Sequence, residues 1–220
     1  MEEFYGRFRI YNKFLEAQKS DTILSVGCRS AFFEEKIADK VKAIYAIDID
    51  RRQIEKNKKG KTIVVFGYSD ITKRINFSDN YFDKVIFTEV MEHLPRETEI
   101  RALREINRIL KSEGQILFST PYSHPLSNIT DPTLWLMDHR HYKEKEISDY
   151  LEKTGFVIEK VFIGGGYLQA FFTPIFYLLC LFRVHDLIGR AALERVIDRE
   201  YRDGKGFGTI IIKARKVRRK

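Results

Sequence analysis

Residues 22–48, TILSVGCRSAFFEEKIADKVKAIYAID, decide the fold. Thr22–Val26 is a short apolar, β-branched run that stops at Gly27, as a buried parallel strand does. The next stretch, SAFFEEKIADK, reads as a helix that Ser30 is suited to cap, with Glu34 and Glu35 early enough to favour its dipole. Ala43–Ile47 is a second strand and ends at Asp48. A strand, a helix and a strand in so few residues form a parallel crossover unit, right-handed by the usual chirality.

The pattern continues outward. Asp50, with Gln53 three residues on, opens the helix DRRQIEKNKK, which Gly60 closes. Thr62–Phe66 is the third strand, followed by the turn-rich GYSD, and Phe82–Thr88 is the fourth. Pro95 suits the first turn of a helix whose Ile100, Leu103, Ile106 and Leu110 make one apolar stripe. Gly114 ends that helix before a fifth strand, Gln115–Thr120. A helix at Lys143–Lys153 precedes strands at Phe156–Ile163 and Gly208–Ala214. The expected fold is therefore α/β, a seven-stranded and mostly parallel sheet with helices on both faces. Ligands of such sheets bind beyond the carboxyl ends of the strands, so the loops after Val26, Ile47, Phe66, Phe87 and Thr120 should line the site.

Composition narrows the class. The 220 residues are 44% hydrophobic and 32% charged, which excludes overall disorder and fits one domain with an appendage. Two cysteines, Cys28 and Cys180, are too few for a disulfide framework or a Cys-type metal site, and a reducing, cytoplasmic setting is expected. The start, MEEFYGRFRIYNKF, has no apolar core and is not expected to be a signal peptide. The net charge of +8 is unevenly spread: residues 1–160 carry 27 basic and 26 acidic side chains, 161–204 carry 5 of each, and 205–220 carry 7 basic and none acidic. A near-neutral body disfavours nucleic acid, which asks for a broad basic face. The basic end reads as a solvated tail, with anionic lipid or RNA as its alternative partners.

The loop Gly27-Cys-Arg-Ser-Ala31 leads into a helix N-terminus, a natural anion site, but it holds neither G-x-G-x-x-G nor G-K-[ST]. Asp48 is placed to hold two ribose hydroxyls, although an Asp there also serves as a turn former. Taken in order, ILSVGC, AIDID, YSDI, FSDNYFDKVIFTEVMEHLP and LREINRILKSEGQILFSTP resemble a class I S-adenosylmethionine-dependent methyltransferase. The resemblance covers residues 20–160 and is closest to the small-molecule branch typified by ubiquinone/menaquinone C-methyltransferases. The last strand, GTIIIKARK, is similar to the strand that returns antiparallel in that fold.

The resemblance implies S-adenosylmethionine as cofactor and assigns its contacts. Gly27 would admit the methionine part, Asp48 would hold the ribose and Ile49 would pack on adenine. Asp70 and Ile71 would face the adenine edge, and Thr88 and Glu89 would lie near the sulfonium. Glu92 and His93 would organise the turn before Pro95. The family's loop reads acid-x-Gly-x-Gly-x-Gly, where this chain has Ser25, Gly27, Arg29 and Ala31. Either Arg29 pairs with the cofactor carboxylate, or it fills the pocket and leaves a methyltransferase-like binding or scaffold protein without turnover.

For a general base, the loop after the fifth strand offers His124, Asp138, His139 and His141. An H-x-x-Y-like segment borders the acceptor in similar proteins, which gives His141 a substrate-facing, catalytic role. His139 and His141 otherwise read as loop residues near Trp135 and Tyr142, and no metal is expected. The charge-free run 161–182 is long enough to span a bilayer, but Gly164–Gly166 and Pro174 interrupt it, and spanning would separate the last strand from its sheet. The expected organisation is a cofactor-binding core at 1–164, an apolar and amphipathic helical insertion at 165–205, and the last strand with the basic tail at 206–220. The insertion is either a buried hairpin or homodimer contact, or a lid for a small or lipid-like acceptor, peripheral at a membrane surface.

Overall fold

A computed structural model describes residues 4–59, 63–136, 139–181 and 190–218. Seven strands form one sheet: β1 (Thr22–Val26), β2 (Ala43–Asp48), β3 (Val65–Tyr68), β4 (Phe82–Thr88), β5 (Leu110–Pro121), β6 (Phe156–Gly164) and β7 (Thr209–Lys216). Their order is β3-β2-β1-β4-β5-β7-β6, and β7 alone runs antiparallel to its neighbours. The expected methyltransferase-type, Rossmann-like arrangement is thus present, including the returning last strand.

Each face of the sheet buries its own apolar layer. On one side lie α1 (Arg7–Leu15), α2 (Phe32–Ile37) and α3 (Arg51–Lys58), with Phe8, Phe14, Phe33, Ile37 and Ile54 in the core. On the other lie α4 (Glu99–Ile109) and α7 (Glu144–Lys153), packing Leu103, Ile106, Ile147 and Leu151 against Val85, Phe87 and Phe118. Two short helices, α5 (Pro125–Thr130) and α6 (Pro132–Leu136), follow β5. The insertion holds α8 (Tyr167–Leu181, with Pro174 inside) and α9 (Arg190–Val196). Among the described residues no helix is long and apolar enough to cross a membrane.

Several boundaries differ from the sequence pattern, for local reasons. Gly67 and Tyr68 belong to β3 and not to a turn, because their register continues against Ile47 and Asp48. Ser30 caps nothing: Ala31 occupies the cap position in a left-handed conformation and makes no side-chain cap bond. Asp50 does cap α3, accepting from the amides of Arg52 and Gln53. Pro95 stands before α4 in a turn closed by Thr98, whose amide and hydroxyl donate to the Pro95 carbonyl at 3.2 and 2.6 Å. Gly114 does not end a helix. It lies in a bulge of β5, where an added methyl group would press on the Lys111 and Asp83 carbonyls.

The insertion leaves and returns at one point. The carboxylate of Glu200, at its far end, accepts from the amides of Gly166, Leu168 and Gln169 and so caps α8. Residues 205–208 then run back along 163–165, with Gly206 donating to the Ile163 carbonyl at 2.8 Å. The basic end is separate from it. β7 starts opposite Gly164 and finishes opposite Phe156, so eight residues, about 25 Å of strand, lie between the insertion and the tail. Part of that basicity is neutralised on the sheet: Lys213 pairs with Glu16 at 2.7 Å and Arg215 with Glu159 at 2.7 Å.

A methyl group at Gly206 would overlap the backbone of Gly164 and Gly165, which has no side chain to rotate away. Gly206→Ala should therefore lower the unfolding free energy by about 1–3 kcal/mol in urea titrations. An unchanged midpoint would mean that this crossing is not packed as described.

Candidate functional site

The loops at the carboxyl ends of β1, β2, β4 and β5 converge, as the topology requires. After β1 the amides of Gly27 and Cys28 both donate to the Ile47 carbonyl, at 2.8 and 3.3 Å. Three alternate residues of this loop have left-handed backbones: Gly27 (φ 71), Arg29 (φ 42) and Ala31 (φ 53). Only the first is glycine, so the curled shape of a glycine-rich loop is kept with two residues that resist it. Asp48 holds it in place. Its Oδ2 accepts from the Arg29 amide and its Oδ1 from the Asp50 amide, both at 2.9 Å. Asn57 donates to the Arg29 carbonyl at 2.6 Å, tying the loop to α3 as well. Arg29 is exposed at the mouth of the site and does not fill it.

The remaining expected contacts are distributed around this loop. Ile49 is 65% exposed, an open apolar surface next to Asp48. The Asp70 carboxyl accepts from the Thr72 hydroxyl and amide and pairs with Lys73 at 3.3 Å; the Thr72 bond above all holds its pKa below the usual range. Ile71 departs from expectation. It is buried in the core with Ile47, Ile75 and Phe87, because the chain turns inward after Asp70. Thr88 is half-buried at the end of β4.

Glu89, with φ 55, is gripped from two sides. Arg7 of α1 pairs with its Oε2 at 3.0 Å, and the Ser119 hydroxyl donates to its Oε1 at 2.7 Å. Tyr11 and Ser119 share a hydrogen bond of 2.6 Å, and burial followed by the Glu89 charge pushes the Tyr11 phenol up. Arg7 also reaches Glu194 of α9 at 3.0 Å, while Gly6 and Arg9 bind Asp198. The N-terminal helix and the insertion thus close together over the end of β4. The sequence pattern gave no sign of Arg7, Tyr11 or Glu194; the 8, 11, 14/15 spacing of Phe8, Tyr11, Phe14 and Leu15 marks a helix, but not its partner.

Glu34, read from sequence only as an early-turn acid of its helix, has a further contact that no local pattern shows. Its carboxylate accepts from the buried Ser25 hydroxyl at 2.6 Å, bringing an acid of α2 to the position where the family's loop carries its own. Burial, then Glu34 and Asp48, push the Cys28 thiol far above its ordinary value.

The loop after β5 gathers the histidines. His124 caps α5, accepting from the Leu126 amide, and stacks on Phe207 with ring centres 4.8 Å apart. His141 is not turned outward as its expected role requires. Its Nδ1 faces Asn128 Oδ1 at 2.8 Å, its Nε2 faces Asp131 Oδ2 at 3.0 Å, and its side chain is 3% exposed. Burial alone would raise Asp131, but bonds from His141 and Thr133 outweigh it and hold that carboxyl below its usual range. His139 lies nearer the cleft, bonded through Nδ1 to Thr133 at 2.8 Å, with its pKa lowered to about 4 by burial and by His93. Asp138 is outside the described residues. Arg140 pairs with Glu99 and donates to the carbonyls of Leu94 and Met91, fastening this loop to the turn after β4. Within that turn Glu92 is buried and accepts from the Thr120 hydroxyl at 3.0 Å.

Left-handed geometry at Arg29 costs roughly 1 kcal/mol against a glycine. Arg29→Gly should leave thermal stability unchanged or raise it by up to that amount. A loss of more than about 1 kcal/mol on scanning calorimetry would contradict the strained loop.

The donor set suits S-adenosylmethionine: a curled backbone for its amino acid end, a strand-end carboxylate with lone pairs to spare for ribose, and an exposed apolar side chain for adenine. A family model described as a methyltransferase domain matches residues 2–161. A Mycolicibacterium smegmatis protein named a probable S-adenosylmethionine-dependent methyltransferase is 24% identical over 160 residues, 71% of this chain and 61% of that protein. An uncharacterized Methanocaldococcus jannaschii protein is 28% identical over 150 residues, 68% of this chain and 54% of that one. The chain therefore spans between half and two thirds of these relatives' length. In structure it is similar to the [4+2]-cyclase SpnF, with a TM-score of 0.69 at 18% identity over 96% of this chain and 80% of that one. It is also similar to YcgJ of Bacillus subtilis, with a TM-score of 0.66 at 16% identity over 96% and 98%. These likenesses speak for the fold, and the cyclase is a reminder that one fold carries several chemistries. The family model covers well over half of the sequence, and on that ground the chain belongs to the methyltransferase domain family, with S-adenosylmethionine as the cofactor that membership implies.

Proposed function

We propose that the protein transfers the methyl group of S-adenosylmethionine to a small, largely apolar acceptor such as a lipid, a quinone precursor or a lipid-linked sugar. The observation that carries the cofactor half is the loop after β1. Two residues other than glycine keep the left-handed backbone: Asp48 bonds the Arg29 amide, and the Ala31 amide donates to the Cys28 carbonyl. A protein that had dropped its cofactor would have no use for that strain, so the retained shape speaks against a mere scaffold. Glu34 is suited to serve the methionyl ammonium group in place of the missing loop acid.

The acceptor half rests on the surface beside the end of β5. Ile129 and Trp135 of α5 and α6 are exposed together with Tyr167 and Phe171 of α8, and Trp135 is 70% exposed. α8 packs against both short helices. The rings of His124, Phe207 and Tyr167 link this apolar surface to the loop that leads from β5. Such a rim is suited to an acceptor drawn from a lipid layer.

Methyl transfer asks the protein chiefly for alignment, because the sulfonium is already a strong electrophile. Glu89 and Arg7 set the charge beside it, and the closed pair of α1 and the insertion excludes water. His141, with both ring nitrogens engaged, acts in this reading by orienting Asp131 and the acceptor loop.

Incubation with methyl-labelled S-adenosylmethionine and a cell extract split into organic and aqueous phases tests the reading. Label should enter the organic fraction. Label confined to water-soluble products would overturn the acceptor class, and cofactor binding without transfer to either would favour the scaffold. Glu34→Gln should weaken cofactor binding about 10-fold, the effect of losing one charge-assisted contact; unchanged affinity would remove Glu34 from the site.

A further inference from the structure

Beside the cofactor cleft, the turn after β4 and the loop after β5 bring three ligand-type side chains together. One carboxylate oxygen of Glu92 and one ring nitrogen each from His93 and His139 lie within 4.8 Å of one another. The group is closed on one side and open on the other: the Glu92 side chain is 1% exposed and that of His139 is 11%, while His93 is at the surface. The rings of His93 and His139 lie against each other with centres 4.5 Å apart. His139 Nε2 stands 3.9 Å from Glu92 Oε1, too far for a hydrogen bond. Two ligands of one ion, each about 2.1 Å from it, stand ~3–4 Å apart.

The proton positions favour an ion there. The Thr133 hydroxyl donates its single hydrogen to Asp131 Oδ1 at 2.6 Å, so its oxygen must accept from His139 Nδ1 at 2.8 Å. The neutral ring then carries its hydrogen on Nδ1 and presents a lone pair from Nε2 toward the Glu92 carboxyl. An imidazole whose far N–H is held by a hydroxyl and a carboxylate behind it is oriented as metal-bound histidines are. The same assignment excludes a neighbouring trio, Asp131, His139 and His141, in which His139 would have to offer Nδ1.

We propose that Glu92, His93 and His139 bind one first-row divalent metal ion of the zinc type, and that this ion holds the heteroatom of the methyl acceptor. Two imidazoles and a carboxylate are a donor set for zinc, cobalt or iron and a poor one for magnesium or calcium. Glu89, the carboxylate expected near the methyl end, lies close enough for its charge to act on both His93 and His139. The second half of the proposal rests on the methyltransferase reading. There, an acceptor hydroxyl on the ion would release its proton to solvent, and the resulting oxygen would attack the methyl carbon. The C–O bond forms as the C–S bond breaks, with its electron pair passing to sulfur to give the neutral thioether.

Titration of Co2+ into the metal-free protein of residues 1–220, followed by visible absorption, tests the site. One equivalent should saturate a ligand-field band, Zn2+ should displace it and Mg2+ should not. His93→Ala, at the surface and so without danger to the fold, and Glu92→Gln should each weaken Co2+ binding at least about 10-fold. His124→Gln, whose ring caps α5 and stacks on Phe207, should leave it within about 3-fold. Absence of any band, an unaltered affinity in His93→Ala, or loss of the band in His124→Gln alone would overturn the proposal. Cofactor calorimetry on the same samples separates the two readings: a protein that binds S-adenosylmethionine but no Co2+ lacks only the metal site, and one that binds Co2+ but no S-adenosylmethionine refutes the role in methyl transfer.

Discussion

The carboxylate of Asp48 is the contact on which the rest of the site depends. One oxygen takes the Arg29 amide and the other the Asp50 amide, so the loop after β1 and the start of α3 are fixed to the same strand end. Hydrogen bonds to a charged acceptor contribute about 1.5–3 kcal/mol each. The bond to Arg29 exceeds the roughly 1 kcal/mol cost of its left-handed backbone, which is how Arg29 can stand where glycine is usual, while Ala31 is held by its own amide on the Cys28 carbonyl. The side chain expected to hold ribose is also the one that shapes the backbone cradle.

The second constraint is the buried Arg7. Its guanidinium lies between Glu89 of the β4 turn and Glu194 of the insertion, and Arg9 adds Asp198 and the Tyr201 carbonyl. A buried arginine with one partner removed is strongly destabilising, so α1 and the insertion hold their places as a unit. Glu200, which caps α8 from the far end of the insertion, ties the apolar helix into that same unit.

Most of the fold was legible because each strand and helix carries its own period, and Gly27, Asp50 and Gly155 stand at element ends. Legibility stopped where a residue's role depends on a partner distant in sequence. Arg7 pairs across 82 residues with Glu89, and Asn107 reaches across 48 to Gly155. No local pattern contains either. Asp48, Ile49 and Asp70 lie beyond strand ends as expected, because the topology fixes the direction of each strand. Ile71 was misjudged because one further residue turns the chain into the core. His141 was recognisable as part of a polar loop, but Asn128 and Asp131, which occupy both its nitrogens, decide which way it faces. The +8 charge was a tail property in sequence, and the structure adds that β7 carries it to the end of the sheet away from the insertion.

Calorimetric titration of S-adenosylmethionine into the purified protein, beside Asp48→Ala, tests the central claim most directly. The account predicts saturable one-site binding to the unaltered protein, weakened at least about 10-fold in the variant. No heat at millimolar cofactor, or equal affinity in both proteins, would contradict it.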